Sequence, residues 1–173
     1  MINKIQENIF QLHFREFGSC VYVIKLENKI ILIDTSTKEN KEELLKDLKE
    51  LNIEPKQVDL VLITHTHFDH IANMDLFENA KIYSEENANE IENEILELKI
   101  IQTPGHKEDC VCFLYKEVLF SGDILFHDGI IGRTDFPGGD PKEMEDSLDK
   151  LSKISYEILC PGHISKKNYY KNN

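Results

Sequence analysis

The sequence has no apolar run near the ~20 residues that a membrane-spanning helix requires, so no membrane partner is expected. Its first residues, Met1-Ile2-Asn3-Lys4-Ile5-Gln6-Glu7, lack the apolar stretch and cleavage site of a signal peptide, and a cytoplasmic location is the expectation. Basic charge is scarce: 20 Lys and Arg stand against 32 Asp and Glu, a formal net charge of −12. Without a basic stripe there is no electrostatic footprint for a nucleic-acid partner. Cysteine is sparse too. Cys110 and Cys112 alternate on an apolar segment, but no second Cys/His pair follows at zinc-finger spacing. Together with Cys20 and Cys160 they read as buried free thiols. No internal repeat, low-complexity tract or linker divides the 173 residues, a length that suits one core and a single domain over 1–173.

Strand-like and helix-like segments alternate along the chain. Asn8 to Phe14, Ser19 to Leu26 and Lys29 to Asp34 read as strands, the last two joined through Glu27-Asn28-Lys29. Leucines at 44, 45, 48 and 51 give helical spacing to Lys38–Leu51, with Thr37 as its candidate N-cap. A buried strand over 58–63, a short helix over Ile71–Phe77 and a strand over Ala80–Tyr83 follow. Glu85 to Glu92 is a polar, helical excursion, and Glu94 to Thr103 is strand-like. Val111–Tyr115 and Val118–Ser121 form a hairpin, Asp140–Ile154 an amphipathic helix, and Tyr156–Cys160 a last strand. Strands outnumber helices and come in hairpins, which predicts a layered α/β sandwich.

Chemistry concentrates where these strands end. The stretch Thr64-His65-Thr66-His67-Phe68-Asp69-His70 follows the apolar run Val58-Asp59-Leu60-Val61-Leu62-Ile63. His106 follows Thr103-Pro104-Gly105, Asp123 follows Ser121-Gly122, and His163 follows Cys160-Pro161-Gly162. Imidazole and carboxylate are the donors a zinc-like cation prefers. His65, His67 and His106 would supply one site; Asp69, His70 and His163 would supply a second, with Asp123 bridging. Two ions about 3.5–4 Å apart share a hydroxide and polarise a carbonyl or phosphoryl oxygen. Asp34, at the end of Leu32-Ile33-Asp34, is either an ordinary strand-end aspartate or a hydrogen-bond partner that orients a ligand imidazole. His13, alternating with apolar neighbours, reads as structural. His127 is a solvated loop residue or a substrate contact, and Arg133 either pairs with Asp135 to stiffen its loop or meets substrate.

His65-Thr66-His67-Phe68-Asp69-His70, followed in order by His106, Asp123 and His163, resembles the metallo-β-lactamase superfamily. The likeness implies an αββα sandwich and gives Asp34 the orienting role. Ser121-Gly122-Asp123-Ile124-Leu125-Phe126 and Ile131-Gly132-Arg133-Thr134-Asp135-Phe136-Pro137-Gly138-Gly139-Asp140 resemble the glyoxalase II-like branch, the hydroxyacylglutathione hydrolases. The Gly-Arg-Thr-Asp-Phe portion is shared in kind with persulfide dioxygenases. Two departures stand out: Lys107-Glu108-Asp109-Cys110 replaces a Thr-Pro-Gly-Ser-like turn, and the chain stops ten residues after His163, short of the helical segment that helps such hydrolases bind glutathione.

The expectation is therefore a binuclear metal-dependent hydrolase of small thioesters or related acyl esters, its small-molecule substrate an acyl-thiol. A metal-bridging hydroxide would attack the carbonyl, with Asp69 helping to orient the water. Zinc is the expected metal, with iron or manganese as alternatives. The rival readings are a mononuclear iron persulfide dioxygenase and a lactamase or nuclease of the same superfamily.

Overall fold

The structure, a computed structural model, describes residues 1–93 and 95–164. Two compact units divide the chain, the first spanning Met1–Tyr83 and the second beginning at Ser84. Among the described residues no helix is long and apolar enough to cross a membrane.

The first unit is a six-stranded sheet whose spatial order follows the sequence: β1 (Ile2–Gln6), β2 (Ile9–Leu12), β3 (Val21–Lys25), β4 (Ile30–Ile33), β5 (Leu60–Leu62) and β6 (Lys81–Tyr83). The first four strands are antiparallel, and β4, β5 and β6 run parallel. Helix α1 (Lys41–Glu50) makes the crossover between β4 and β5. Leu44 and Leu48 of α1 pack with Leu12, Val23, Leu32 and Val61, side chains from alternate positions of four strands. Tyr22, Ile24, Ile31 and Ile33, which fall between those positions, are buried as well. Such two-sided burial explains why the strands read as continuous apolar runs.

The second unit is a four-stranded sheet in the order β10 (Ile158–Pro161), β9 (Val118–Gly122), β8 (Val111–Tyr115), β7 (Leu98–Gln102). One face carries Ile101, Cys112, Leu114 and Leu119, packed with Met144 and Leu151 of helix α3 (Pro141–Ser152). The side chain of Asp140 caps α3, accepting from the amides of Lys142 at 2.7 Å and Glu143 at 3.0 Å.

Several sequence expectations need correction. Strand β1 was not anticipated, because Ile2-Asn3-Lys4-Ile5-Gln6 is a partly exposed edge strand with little apolar signal. Thr37 makes no side-chain cap; its hydroxyl donates instead to the Phe17 carbonyl at 2.8 Å, and a 3₁₀ turn over Lys38–Asn40 precedes α1. The helix expected over Ile71–Phe77 begins earlier, as α2 (Phe68–Ile71), with a separate 3₁₀ turn at Met74–Leu76. Strand β7 starts at Leu98, later than expected. Glu94, where that strand was expected to begin, lies outside the described residues, as do 165–173 of the expected domain. All four cysteines are buried free thiols, as expected. Burial pushes the Cys112 thiol up to about 12 and raises Cys110 too, which makes both poor nucleophiles.

Candidate metal-binding residues

In each unit the donors sit at one edge of a sheet because the strands before them share a direction. Parallel β4 and β5 bring Asp34 and Thr64-His65 to the same end of the first sheet. The amide of Asp34 donates to the Leu62 carbonyl at 2.9 Å, extending the ladder by one residue. In the second sheet β7 is antiparallel to β8, and β8 to β9, so β7 and β9 run the same way; β10 is parallel to β9. The carboxyl ends of β7, β9 and β10 therefore lie at one edge, and His106, Asp123 and His163 follow those ends. Gly162 donates to the Gly122 carbonyl at 2.7 Å, which ties the last two together.

Asp34 organises the first set. It is buried, at a left-handed φ of 60°, a conformation aspartate tolerates better than most residues. Its Oδ1 accepts from the Thr64 amide at 2.9 Å. Its Oδ2 accepts from the Thr64 hydroxyl at 2.8 Å and faces His70 Nδ1 at 2.8 Å. A carboxylate on Nδ1 holds the proton there and leaves Nε2 of His70 as the lone-pair donor. The backbone of α2 is fixed by the same wall, since the Thr35 amide and hydroxyl both donate to the His70 carbonyl, at 2.7 and 3.0 Å. His65 and His70 are fully buried, with ring centroids 4.0 Å apart. Asp69 is buried as well, and its carbonyl accepts from the Ser19 amide at 3.1 Å.

The second set uses a different orienting group. His106 Nδ1 donates to the backbone carbonyl of Arg133 at 2.7 Å, leaving Nε2 to face Asp123 Oδ2 at 3.6 Å. His163 Nε2 lies 3.4 Å from the same oxygen. The carbonyl of Arg133 can reach His106 because residue 132 is glycine: a Cβ there would sit 1.8 Å from the Asp123 carbonyl oxygen.

Both sets fit a cation. Zinc–nitrogen bonds of 2.0–2.1 Å at tetrahedral angles put ligand atoms about 3.3 Å apart. His65 Nε2 and His67 Nδ1 are 3.0 Å apart, and the His163–Asp123 spacing is 3.4 Å. Two imidazole nitrogens and an imidazole–carboxylate pair thus stand at ligand-to-ligand spacing, with the opposite ring nitrogens of His70 and His106 already engaged.

The guanidinium of Arg133 pairs bidentately with Asp135, at 2.9 and 2.7 Å, and lies 4.3 Å over the Phe136 ring. The hydrogen bond from Arg133 holds the exposed Asp135 carboxyl below its ordinary value. His127 is exposed, on a 3₁₀ turn with Asp128 at φ 63°. His13 is buried in the first unit's strand region, consistent with a structural role. Sequence reasoning missed Thr64 and Gly132. Thr64 was visible as a hydroxyl residue next to His65; nothing local announced Gly132, whose constraint comes from a carbonyl nine residues earlier.

A model of the metallo-β-lactamase superfamily matches residues 15–95 and 81–163. A probable metallo-hydrolase of Methanocaldococcus jannaschii is 36% identical over 143 residues, covering 77% of this chain and 70% of its own. The hydroxyacylglutathione hydrolase of Francisella tularensis subsp. novicida is 32% identical over 126 residues. That match covers 62% of this chain and spans half the length of the relative, 50%. A protein crystallised in a di-iron-bound form superposes with a TM-score of 0.72 at 25% identity, covering 90% of this chain and 92% of that one.

Proposed function

Because this chain belongs to the metallo-β-lactamase superfamily, whose members are usually metal-dependent hydrolases, we propose that it hydrolyses small thioesters or related acyl esters with two divalent metal ions. The observation that carries the reading is the paired orientation of imidazoles: Asp34 fixes His70 and the Arg133 carbonyl fixes His106, each through Nδ1. The donors that could hold the ions are His65, His67, Asp69 and His70 in the first unit and His106, Asp123 and His163 in the second. Bound there, the ions would supply water of lowered pKa and polarisation of the substrate carbonyl. Asp34, hydrogen-bonded to Nδ1, keeps His70 correctly turned. Asp123 contributes the carboxylate between the two imidazoles of its set. Asp69 is the candidate acceptor that orients the attacking water and takes its proton.

The thioester preference is supported by the likeness to a hydroxyacylglutathione hydrolase, and the di-iron form of a neighbour keeps iron beside zinc as a native metal. The test is the purified chain loaded with zinc, manganese or iron, assayed on S-lactoylglutathione and simpler thioesters, with metal counted by elemental analysis. Two ions per chain with thioester turnover is the expected result. One iron per chain with oxygen uptake on a persulfide would overturn it in favour of a dioxygenase, and no turnover with any metal would remove the hydrolase reading.

A further inference from the structure

Helix α2 carries Asp69 and His70, yet it is a single turn of four residues, Phe68–Ile71. A turn that short is not held by its own hydrogen bonds. What fixes it must come from outside, and the buried residue that follows it closely, Asn73, takes no donor role. Asn73 stands at the N-cap of the 3₁₀ turn Met74–Leu76, where an asparagine side chain ordinarily accepts from amides ahead of it. Here it makes no such cap. Its side-chain amide turns back and donates to the carbonyls of Thr35 at 2.8 Å and Thr37 at 2.6 Å. Its Oδ1, also buried, accepts from no group among the described residues. A side chain kept for stability alone would pair both ends of its amide, because an unpaired buried oxygen is unfavourable.

The two carbonyls can face one amide because the chain is left-handed at Ser36 between them, at φ 59°, as it is at Asp34, at φ 60°. Residues other than glycine keep that conformation where their surroundings fix it. The main-chain amide of Asn73 works on the same segment, donating to Thr35 Oγ1 at 3.2 Å. With that lone pair engaged, the Thr35 hydroxyl gives its proton to the His70 carbonyl at 3.0 Å. Asn73 thus grips the backbone just beyond the Asp34 carboxylate and, through Thr35, the backbone that bears the His70 imidazole. Those two groups meet at 2.8 Å.

We propose that Asn73 is a positioning residue: by fixing the backbones of Asp34 and His70 to each other, it sets the direction in which His70 Nε2 and the neighbouring Asp69 carboxylate are presented to an ion. The proposal rests on the metal-dependent reading for the ion and on no choice of substrate. A residue that only stabilises the fold leaves ion affinity alone, whereas groups that orient a ligand imidazole change it by about 10–100-fold.

The test compares the full chain with Asn73→Ala, Thr35→Val and Thr35→Ser. Competition with a chromophoric chelator reads zinc affinity, visible absorption of the cobalt-substituted chain reads ligand geometry, and near-ultraviolet circular dichroism reads the fold. Asn73→Ala should fold, bind zinc about tenfold more weakly and shift the cobalt bands. Where that variant does not fold, the Thr35 pair decides: Thr35→Val, which removes the hydroxyl, should lose more zinc affinity than Thr35→Ser, which keeps it. A folded Asn73→Ala chain with the wild-type zinc affinity and cobalt spectrum overturns the proposal. So do equal affinities in the two Thr35 variants when the alanine variant does not fold. None of these readings needs substrate, so a chain that turns over no thioester removes the hydrolase reading and leaves the role of Asn73 standing.

Discussion

The first unit draws His65, His67, Asp69 and His70 from one loop, whereas the second draws His106, Asp123 and His163 from the ends of three strands. A contiguous loop must be shaped from within, and a single buried carboxylate does it: Asp34 takes the Thr64 amide, the Thr64 hydroxyl and His70. Donors on separate strands are already placed by the ladder, and what remains is to orient rings. A backbone carbonyl suffices for His106, and Gly132 is there to let it approach. One set depends on a side chain, the other on sheet direction and the absence of a side chain.

The largest effect should come from Asp34. Asp34→Ala takes the acceptor from the buried Thr64 amide and leaves the Thr64 hydroxyl and His70 Nδ1 only longer contacts, at 3.2 and 3.3 Å, so at about 1–3 kcal/mol per affected group chemical denaturation should show a loss of roughly 4 kcal/mol. Gly132→Ala should follow at about 3 kcal/mol, because its Cβ would meet a backbone oxygen that no rotamer can move. Elemental analysis of that variant should also show reduced metal, as the partner of His106 is displaced. A larger loss in Gly132→Ala than in Asp34→Ala would reverse the asymmetry between the two sets.

A smaller effect lies in the first unit, away from the donors. Burial, and then the Met1 ammonium, lower the His13 pKa below 6.5. The folded state therefore favours neutral His13. The stability tied to it is present above pH 6.5 and is lost as the pH falls through the lower folded value. Thermal melts across that range should decline in the wild-type chain, and His13→Gln should lack this component. Smallest of all, Arg133→Ala should leave thermal stability nearly unchanged, since its ion pair is exposed and its useful group is the carbonyl. A loss of several kcal/mol on thermal unfolding would show that the side chain, not the backbone, orients His106.

The same contrast decides what could be read from the sequence. The loop 65–70 displays its donors side by side, and the apolar run before it marks β5. His106, Asp123 and His163 were found by a rule rather than by adjacency: each follows a strand-like run ending in glycine. Their shared edge depends on strand direction, which residue pattern does not state. Gly132 and the carbonyl of Arg133 were illegible because their roles depend on distant backbone. Thr37 misled for a related reason: a good capping residue was claimed by the Phe17 carbonyl, a tertiary partner. Edge strand β1 carries too few buried apolar residues to announce itself.

Helix α3 is stitched to the segment that leads into His106. Ser147 donates to the Pro104 carbonyl at 2.7 Å, Lys150 to that of Gln102, and the Asp140 amide to that of Gly105 at 2.9 Å. Gly105 itself is seated where a Cβ would fall 2.4 Å from Met144 Cα. The helix is in effect a splint, and a splinted donor couples occupancy to local unfolding. An ion held by His106 raises the cost of opening α3 in proportion to the logarithm of ion concentration over its dissociation constant. Amide-proton exchange along Met144–Leu151, well removed from any donor atom in sequence, then becomes a gauge of how full the site is.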